Sequence, residues 1–201
     1  MPASIKWLIL AGLLLITSGC SLLSKPSPAP ALDNKSRLAQ LTAIEQYRLQ
    51  ASVGIKTPEE SVSGNLNWQQ HNTEHFKARL ANFFGISLFE LTNDAQGSSI
   101  LVRGERYQAA DPGSLLWQLA GWSMPLDDMP LWLKGIPGAK ASAVEYDDLG
   151  RVLAFQLVDS TGIIWQLRYQ SFFADALALP QKIKLSSDDT TISFYIRSWQ
   201  L

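Results

Sequence analysis

Two hydrophobic periods alternate along this chain. Val62, Gly64, Leu66 and Trp68 alternate with Ser63, Asn65, Asn67 and Gln69, and Phe76, Ala78 and Leu80 alternate with Lys77, Arg79 and Ala81. A period of two marks half-buried antiparallel strands, because successive side chains leave opposite faces of the pleat. Further strands are predicted at 86–91, 98–103, 152–158, 163–169, 182–185 and 191–198, mostly separated by Gly, Asn or Asp.

Helical signals appear in three places. Asp33 is a good N-cap for a helix carrying Leu38, Leu41, Ala43 and Ile44, and ending before Tyr47. Asp111-Pro112 opens a second helix with Leu115, Leu116, Trp117 and Leu119, which Gly121 stops. A third, short helix follows Pro125, carries Met129, Leu131, Trp132 and Leu133, and ends at Gly135-Ile136-Pro137-Gly138. Such apolar helices need a sheet to lean on. A sheet curved by its own twist can wrap them and leave an apolar hollow, or the same residues can fill a core; periodicity does not separate the two.

One stretch breaks the pattern. Leu80-Ala81-Asn82-Phe83-Phe84-Gly85-Ile86 lies between two predicted strands, where a hairpin should present polar turn residues. Asn82 and Gly85 tolerate the positive φ of a tight reversal, but Phe83 and Phe84 have no turn chemistry of their own. Either these rings fold back into a core, the usual fate of phenylalanine, or something apolar meets them.

The start of the chain reads as an export signal. Lys6 precedes an apolar run from Trp7 to Ile16, then Thr17-Ser18-Gly19 and Cys20. Ten residues make about 15 Å of helix, too short for a hydrocarbon core of about 30 Å. Cys20 is the only cysteine, so it has no intrachain disulfide partner. Its place after small residues resembles the end of a bacterial lipobox, where the chain is cut before a lipidated cysteine; an unmodified thiol is the alternative. Ser21, rather than Asp, follows it, which in such lipoproteins permits travel to the outer membrane. The expected organisation is a signal peptide over 1–19, a lipidated N-terminus and proline-rich tether over 20–32, and one domain over 33–201.

Composition narrows the function. From residue 20 onward the chain carries 16 basic and 18 acidic residues, which argues against nucleic acid. His71 and His75, the two histidines, fall around one predicted hairpin turn with no further ligand motif, so solvated histidines are favoured over a metal site. There is no G-x-S-x-G elbow and no phosphate-cradling glycine loop. The acidic pairs Glu59-Glu60, Asp127-Asp128, Asp147-Asp148 and Asp188-Asp189 read as turn and cap residues. An enzyme is not expected.

The chain resembles the LolB family of outer-membrane lipoprotein receptors of the Lol pathway in Gram-negative bacteria. The resemblance rests on Cys20, Trp68-Gln69-Gln70, Asn82-Phe83-Phe84-Gly85 with Glu90-Leu91, Met124-Pro125-Leu126, and Trp132-Leu133-Lys134-Gly135-Ile136-Pro137-Gly138. Trp165, Tyr169, Leu179-Pro180 and Trp199 fall in similar places. It implies a mainly β fold with some α structure, an incompletely closed antiparallel β half-barrel whose helices cover an apolar cavity. It also implies acceptance of lipoproteins from the periplasmic carrier LolA, with cargo acyl chains held in the cavity and then inserted among outer-membrane lipids. No cofactor is implied, and a monomer is expected. The alternative is a lipid-anchored envelope protein of similar fold that binds another lipid or stabilises an envelope complex.

Site residues follow from the resemblance and the alternation together. The family's membrane-insertion loop maps to Phe84 with Phe83 beside it, Phe84 standing for the usual leucine and Phe83 for the usual proline. Phe84 is expected as an exposed apolar tip; the orientation of Phe83 stays open. Leu66, Trp68, Phe76, Leu80, Leu88, Leu116, Trp117, Leu131 and Trp132 are expected to line the acyl-chain cavity, with Met124 and Met129 as adaptable surface beside it. Lys77 and Arg79 are candidates for a carrier-docking patch, or for an ordinary solvated strand face.

Overall fold

The computed structural model describes residues 33–201. The expected signal segment, Cys20 and the tether over 20–32 lie outside the described residues. At the centre is β1 (Tyr47–Lys56), a strand absent from the expectations above. Its inward residues Tyr47, Leu49, Ala51, Val53 and Ile55 are all buried and alternate with exposed or half-buried ones. Only Ile44, Glu45 and Gln46 separate them from the first helix, with no Gly or Pro to mark the boundary.

From β1 the chain meanders through β2 (Ser61–Gln70), β3 (Phe76–Ala81), β4 (Ser87–Asp94), β5 (Gly97–Val102) and β6 (Glu105–Ala109). After two helices it returns through β7 (Ser142–Tyr146), β8 (Val152–Val158), β9 (Ile164–Phe172), β10 (Pro180–Ser186) and β11 (Thr191–Gln200). Neighbours pair antiparallel in one 11-stranded sheet of order β6-β5-β4-β3-β2-β1-β11-β10-β9-β8-β7. First and last strands therefore pair in the middle, Val53 opposite Phe194, and the sheet ends in two free edges, β6 and β7. The sheet is an antiparallel half-barrel that does not close. Neither edge strand was expected, because both are short and largely exposed, with alternation limited to Tyr107 and Ala109 in β6 and to Val144 and Tyr146 in β7.

The register sorts the connections into two ends. The β1–β2, β3–β4, β5–β6, β8–β9 and β10–β11 turns lie at one end, here the upper. The helix α1 (Asn34–Ala43) sits at the lower end, where the buried Arg37 donates to the carbonyls of Leu177 (2.7 Å) and Ala178 (3.2 Å) in the β9–β10 turn. Asp33 caps α1 as expected, accepting from the Ser36 N–H.

The segment joining the free edges carries α2 (Pro112–Ala120) and α3 (Met129–Trp132). α3 is pinned from several sides. Tyr47 donates to the Pro130 carbonyl (3.1 Å), Tyr169 to that of Trp132 (2.6 Å), and the Trp132 indole N–H to that of Pro125 (3.0 Å). Burial pushes both tyrosine hydroxyls well above their ordinary range, so they remain protonated donors. Lys134 donates to the Ile44 carbonyl (2.6 Å), tying the helix to the end of α1.

α2 is held differently. Asp111 caps it through the N–H and hydroxyl of Ser114 and lies against the Ser160 hydroxyl. Beyond its other end, the Ser123 hydroxyl donates to the Asp159 carboxylate. Both flanks of the helix thus attach to the β8–β9 turn, while its body packs on β5 and β6. Asp159 also accepts from the Trp165 indole (2.9 Å), the Thr161 hydroxyl (2.7 Å) and the N–H groups of Thr161 and Ile163.

Gly64 faces inward on β2, where an added Cβ would come within 2.5 Å of the Ala81 carbonyl oxygen at the β3–β4 bulge. Gly64→Val should therefore cost about 1–3 kcal/mol in a denaturant titration, as overpacking does. For Asp159, burial opposes the charge, but the hydrogen bonds from Ser123, Thr161 and Trp165 outweigh it and hold the pKa below the usual carboxylate range. A depressed folded-state pKa contributes stability that is present above the unfolded value of about 3.9 and lost as pH falls through the folded one. Asp159→Asn should lower stability by about 1.5–3 kcal/mol near neutral pH, with the gap narrowing as the pH drops below about 4.

Candidate functional site

The concave face meets the helices over an apolar pocket with about 50 Å³ of unfilled space. Leu66, Trp68, Ala78, Leu80 and Leu91 from β2 to β4 form one wall, and Val53, Ile55, Ile192 and Phe194 form the floor. Leu116, Trp122, Met124, Leu126 and Met129 form the cover. At the upper end the pocket shares Ile55, Leu80, Phe89, Ile100, Leu116 and Trp122 with a groove of about 480 Å³, whose rim adds Leu88, Val102, Arg103 and Leu119. That volume falls in the range of about 300–1,000 Å³ common for ligand sites.

The nine residues expected to line a cavity divide. Leu66, Trp68, Leu80 and Leu116 line the inner pocket, and Leu88 lines the groove. The other four have different places. Phe76 stacks on Trp68 from behind, with ring centroids 4.3 Å apart. Trp132 is fully buried edge-on to Phe194, its indole used to fix α3. Leu131 packs near Gly138 outside both spaces. Trp117 is 47 % exposed on the outer side of α2, because Leu115 and Leu116 already take the inward face of that helix. The β1, β5 and β11 lining residues were missed; the alternation of β1 was the signal that would have revealed Val53 and Ile55.

The loop 82–86 stands at the same upper end, directly between groove residues Leu80 and Leu88. Phe84 is 90 % exposed, Phe83 77 % and Ile86 63 %, so both rings point outward. The backbone beneath them is nonetheless tied down. The Asn82 side-chain oxygen accepts from the N–H groups of Phe84 and Ile86, both at 3.0 Å, and its backbone N–H donates to the Ile86 carbonyl (2.9 Å). Gly85 closes the turn at φ +81°, and its carbonyl accepts from Arg79 (3.0 Å). Arg79 also pairs with Glu90 at 3.4 Å. It therefore supports the loop from the convex face, where Lys77 is also exposed.

Among the described residues no cluster of three or more His, Cys, Asp or Glu side chains is placed to hold a metal, and no helix is long and apolar enough to cross a membrane. His71 and His75 flank the β2–β3 turn at the lower end, where His75 Nδ1 meets the Asn72 amide at 3.1 Å.

Comparison with known proteins agrees with this architecture. The chain is similar to the outer-membrane lipoprotein LolB of Sodalis glossinidius, at 30 % identity over 99 % of this chain and 97 % of that one. It is also similar to LolB of Shewanella loihica, at 28 % identity over 92 % and 88 % of the two chains. A crystal structure of a LolA-superfamily protein from Nitrosomonas europaea shares the fold with a TM-score of 0.55 at 9 % identity, covering 85 % of this chain and 94 % of that one. The family model described as outer membrane lipoprotein LolB matches residues 45–199. From the strand that completes the sheet to the end of the last one, this chain belongs to the LolB family.

Proposed function

We propose that this protein is an acceptor and membrane-insertion factor for lipoproteins, lipidated at Cys20 and held at the periplasmic face of the outer membrane. Cargo acyl chains leave the carrier LolA, enter the apolar pocket and groove, and pass into the bilayer. The observation that carries this reading is the shared location of the groove and the exposed Phe83-Phe84 tip at the upper end of the half-barrel. No bond is made or broken in such a hand-over, so no catalytic group is required. Direction comes from relative affinity and from the bilayer as the final apolar sink.

The pocket constrains how cargo enters. Its 50 Å³ of free space is small, so an acyl chain must lie in the groove or displace a wall. Of the covering elements, α3 is fixed by hydrogen bonds from β1 and β9, whereas no side-chain bond joins residues 115–122 to the sheet. α2 is therefore the wall that yields.

The direct test loads the carrier with radiolabelled lipoprotein and adds this protein. Label is expected to move onto it, and no transfer from a carrier shown competent with another acceptor would remove this reading. Within the same assay, Phe84→Glu should leave acceptance near the wild-type level and reduce delivery into liposomes severalfold. The charge would have to be desolvated on entering the boundary between headgroups and acyl chains.

A further inference from the structure

One surface is left unused by the proposed transfer. Residues 112–126 contain no charged side chain, and within them α2 turns Trp117 (47 % exposed) and Leu119 (37 % exposed) outward. Gln118 and Ala120 beside them are exposed as well. A surface helix ordinarily places charge on its solvent face; this one has an indole and an aliphatic side chain instead. Indole rings favour the boundary between water and hydrocarbon, where the ring body is apolar and the N–H stays wet.

Its position adds to the composition. Leu119 and Ala120 form one rim of the groove, and Leu80, Leu88 and Phe89, which flank the 82–86 loop, form another. The outer face of α2 and the Phe83-Phe84 tip therefore border one opening. The chain outside the described residues is long enough for that opening to face a bilayer. Thirteen peptide steps separate Cys20 from Asp33, at most about 45 Å of extended chain. β1 has 10 residues, which at about 3.3 Å each spans about 33 Å from the lower to the upper end. An anchor joined at the lower end through α1 thus leaves the upper end free to turn toward the membrane that holds it.

We infer that the outer face of α2, centred on Trp117 and Leu119, is a second membrane-contact element that lies in the lipid interface together with the 82–86 tip. This rests on the lipid-anchored reading above and deepens it. Two contacts on opposite rims of the groove fix the orientation of the domain, where a single loop would leave it free to roll. They also place the yielding wall of the pocket against the lipid that receives the cargo.

The test uses the full lipidated chain in vesicles of phosphatidylethanolamine and phosphatidylglycerol. With Cys20 acylated, a single introduced cysteine carries an environment-sensitive fluorophore, at Trp117→Cys, at Phe84→Cys, or at Tyr195→Cys on the convex face. The parent chain without an introduced cysteine gives the background. Nitroxide-labelled lipids should quench the probe at 117 to an extent comparable with that at 84 and leave the probe at 195 unchanged. Quenching at 84 with none at 117 would overturn the second contact while leaving the tip in place. No quenching at either site would overturn both. A probe at 117 that responds only when the carrier LolA is added would assign the helix to a protein partner and likewise overturn the proposal.

Discussion

Everything in this domain depends on the pairing of β1 with β11. Antiparallel hydrogen bonding between β1 and β11, with Val53 opposite Phe194 and Ile55 opposite Ile192, places the first and last strands in the middle of the sheet. Its edges are then made by β6 and β7, strands adjacent in sequence except for the helical segment. A twisted sheet of this size with one apolar face cannot leave that face bare. The segment between the edges must cross the concave side, and its central stretch, residues 112–126, has the uncharged, apolar composition that fits it to do so.

That crossing is unevenly secured. α3 is held by buried tyrosine hydroxyls that donate to its own carbonyls and so offset the cost of burying them, by the Trp132 indole on the Pro125 carbonyl, and by Lys134 on the Ile44 carbonyl at the end of α1. α2 is attached at both flanks to one turn, through Asp111 with Ser160 and Ser123 with Asp159, and otherwise leans on β5 and β6 by apolar contact. α3 is thus the firmly tied part of the cover over the pocket, and α2 the part held mainly at its two flanks.

The 82–86 loop shows how a local substitution is absorbed. A proline at position 83 would stiffen the turn through its fixed φ. Here the stiffness comes from Asn82, whose side chain accepts from two backbone N–H groups, and from the Arg79 contact to the Gly85 carbonyl. The exposed rings are therefore presented by an ordered backbone.

The sequence by itself determined the β-rich class, the capped helices at Asp33 and Asp111, and the oddity of two phenylalanines in a turn, because each is written in local periodicity or in one residue's backbone chemistry. Family resemblance converted that oddity into an exposed tip. The edge strands β6 and β7 were not legible, since strands of five largely exposed residues show only two alternating apolar positions each, and β1 was hidden by the lack of a turn residue before it. Only tertiary structure decided which apolar residues face the pocket. Trp68 and Phe76 share one sheet face, yet Phe76 stacks behind Trp68; Leu116 and Trp117 are neighbours, yet one faces in and the other out. The hydrophobic pattern sets how much apolar surface must be covered, and the register and the crossing of the helices set what covers it.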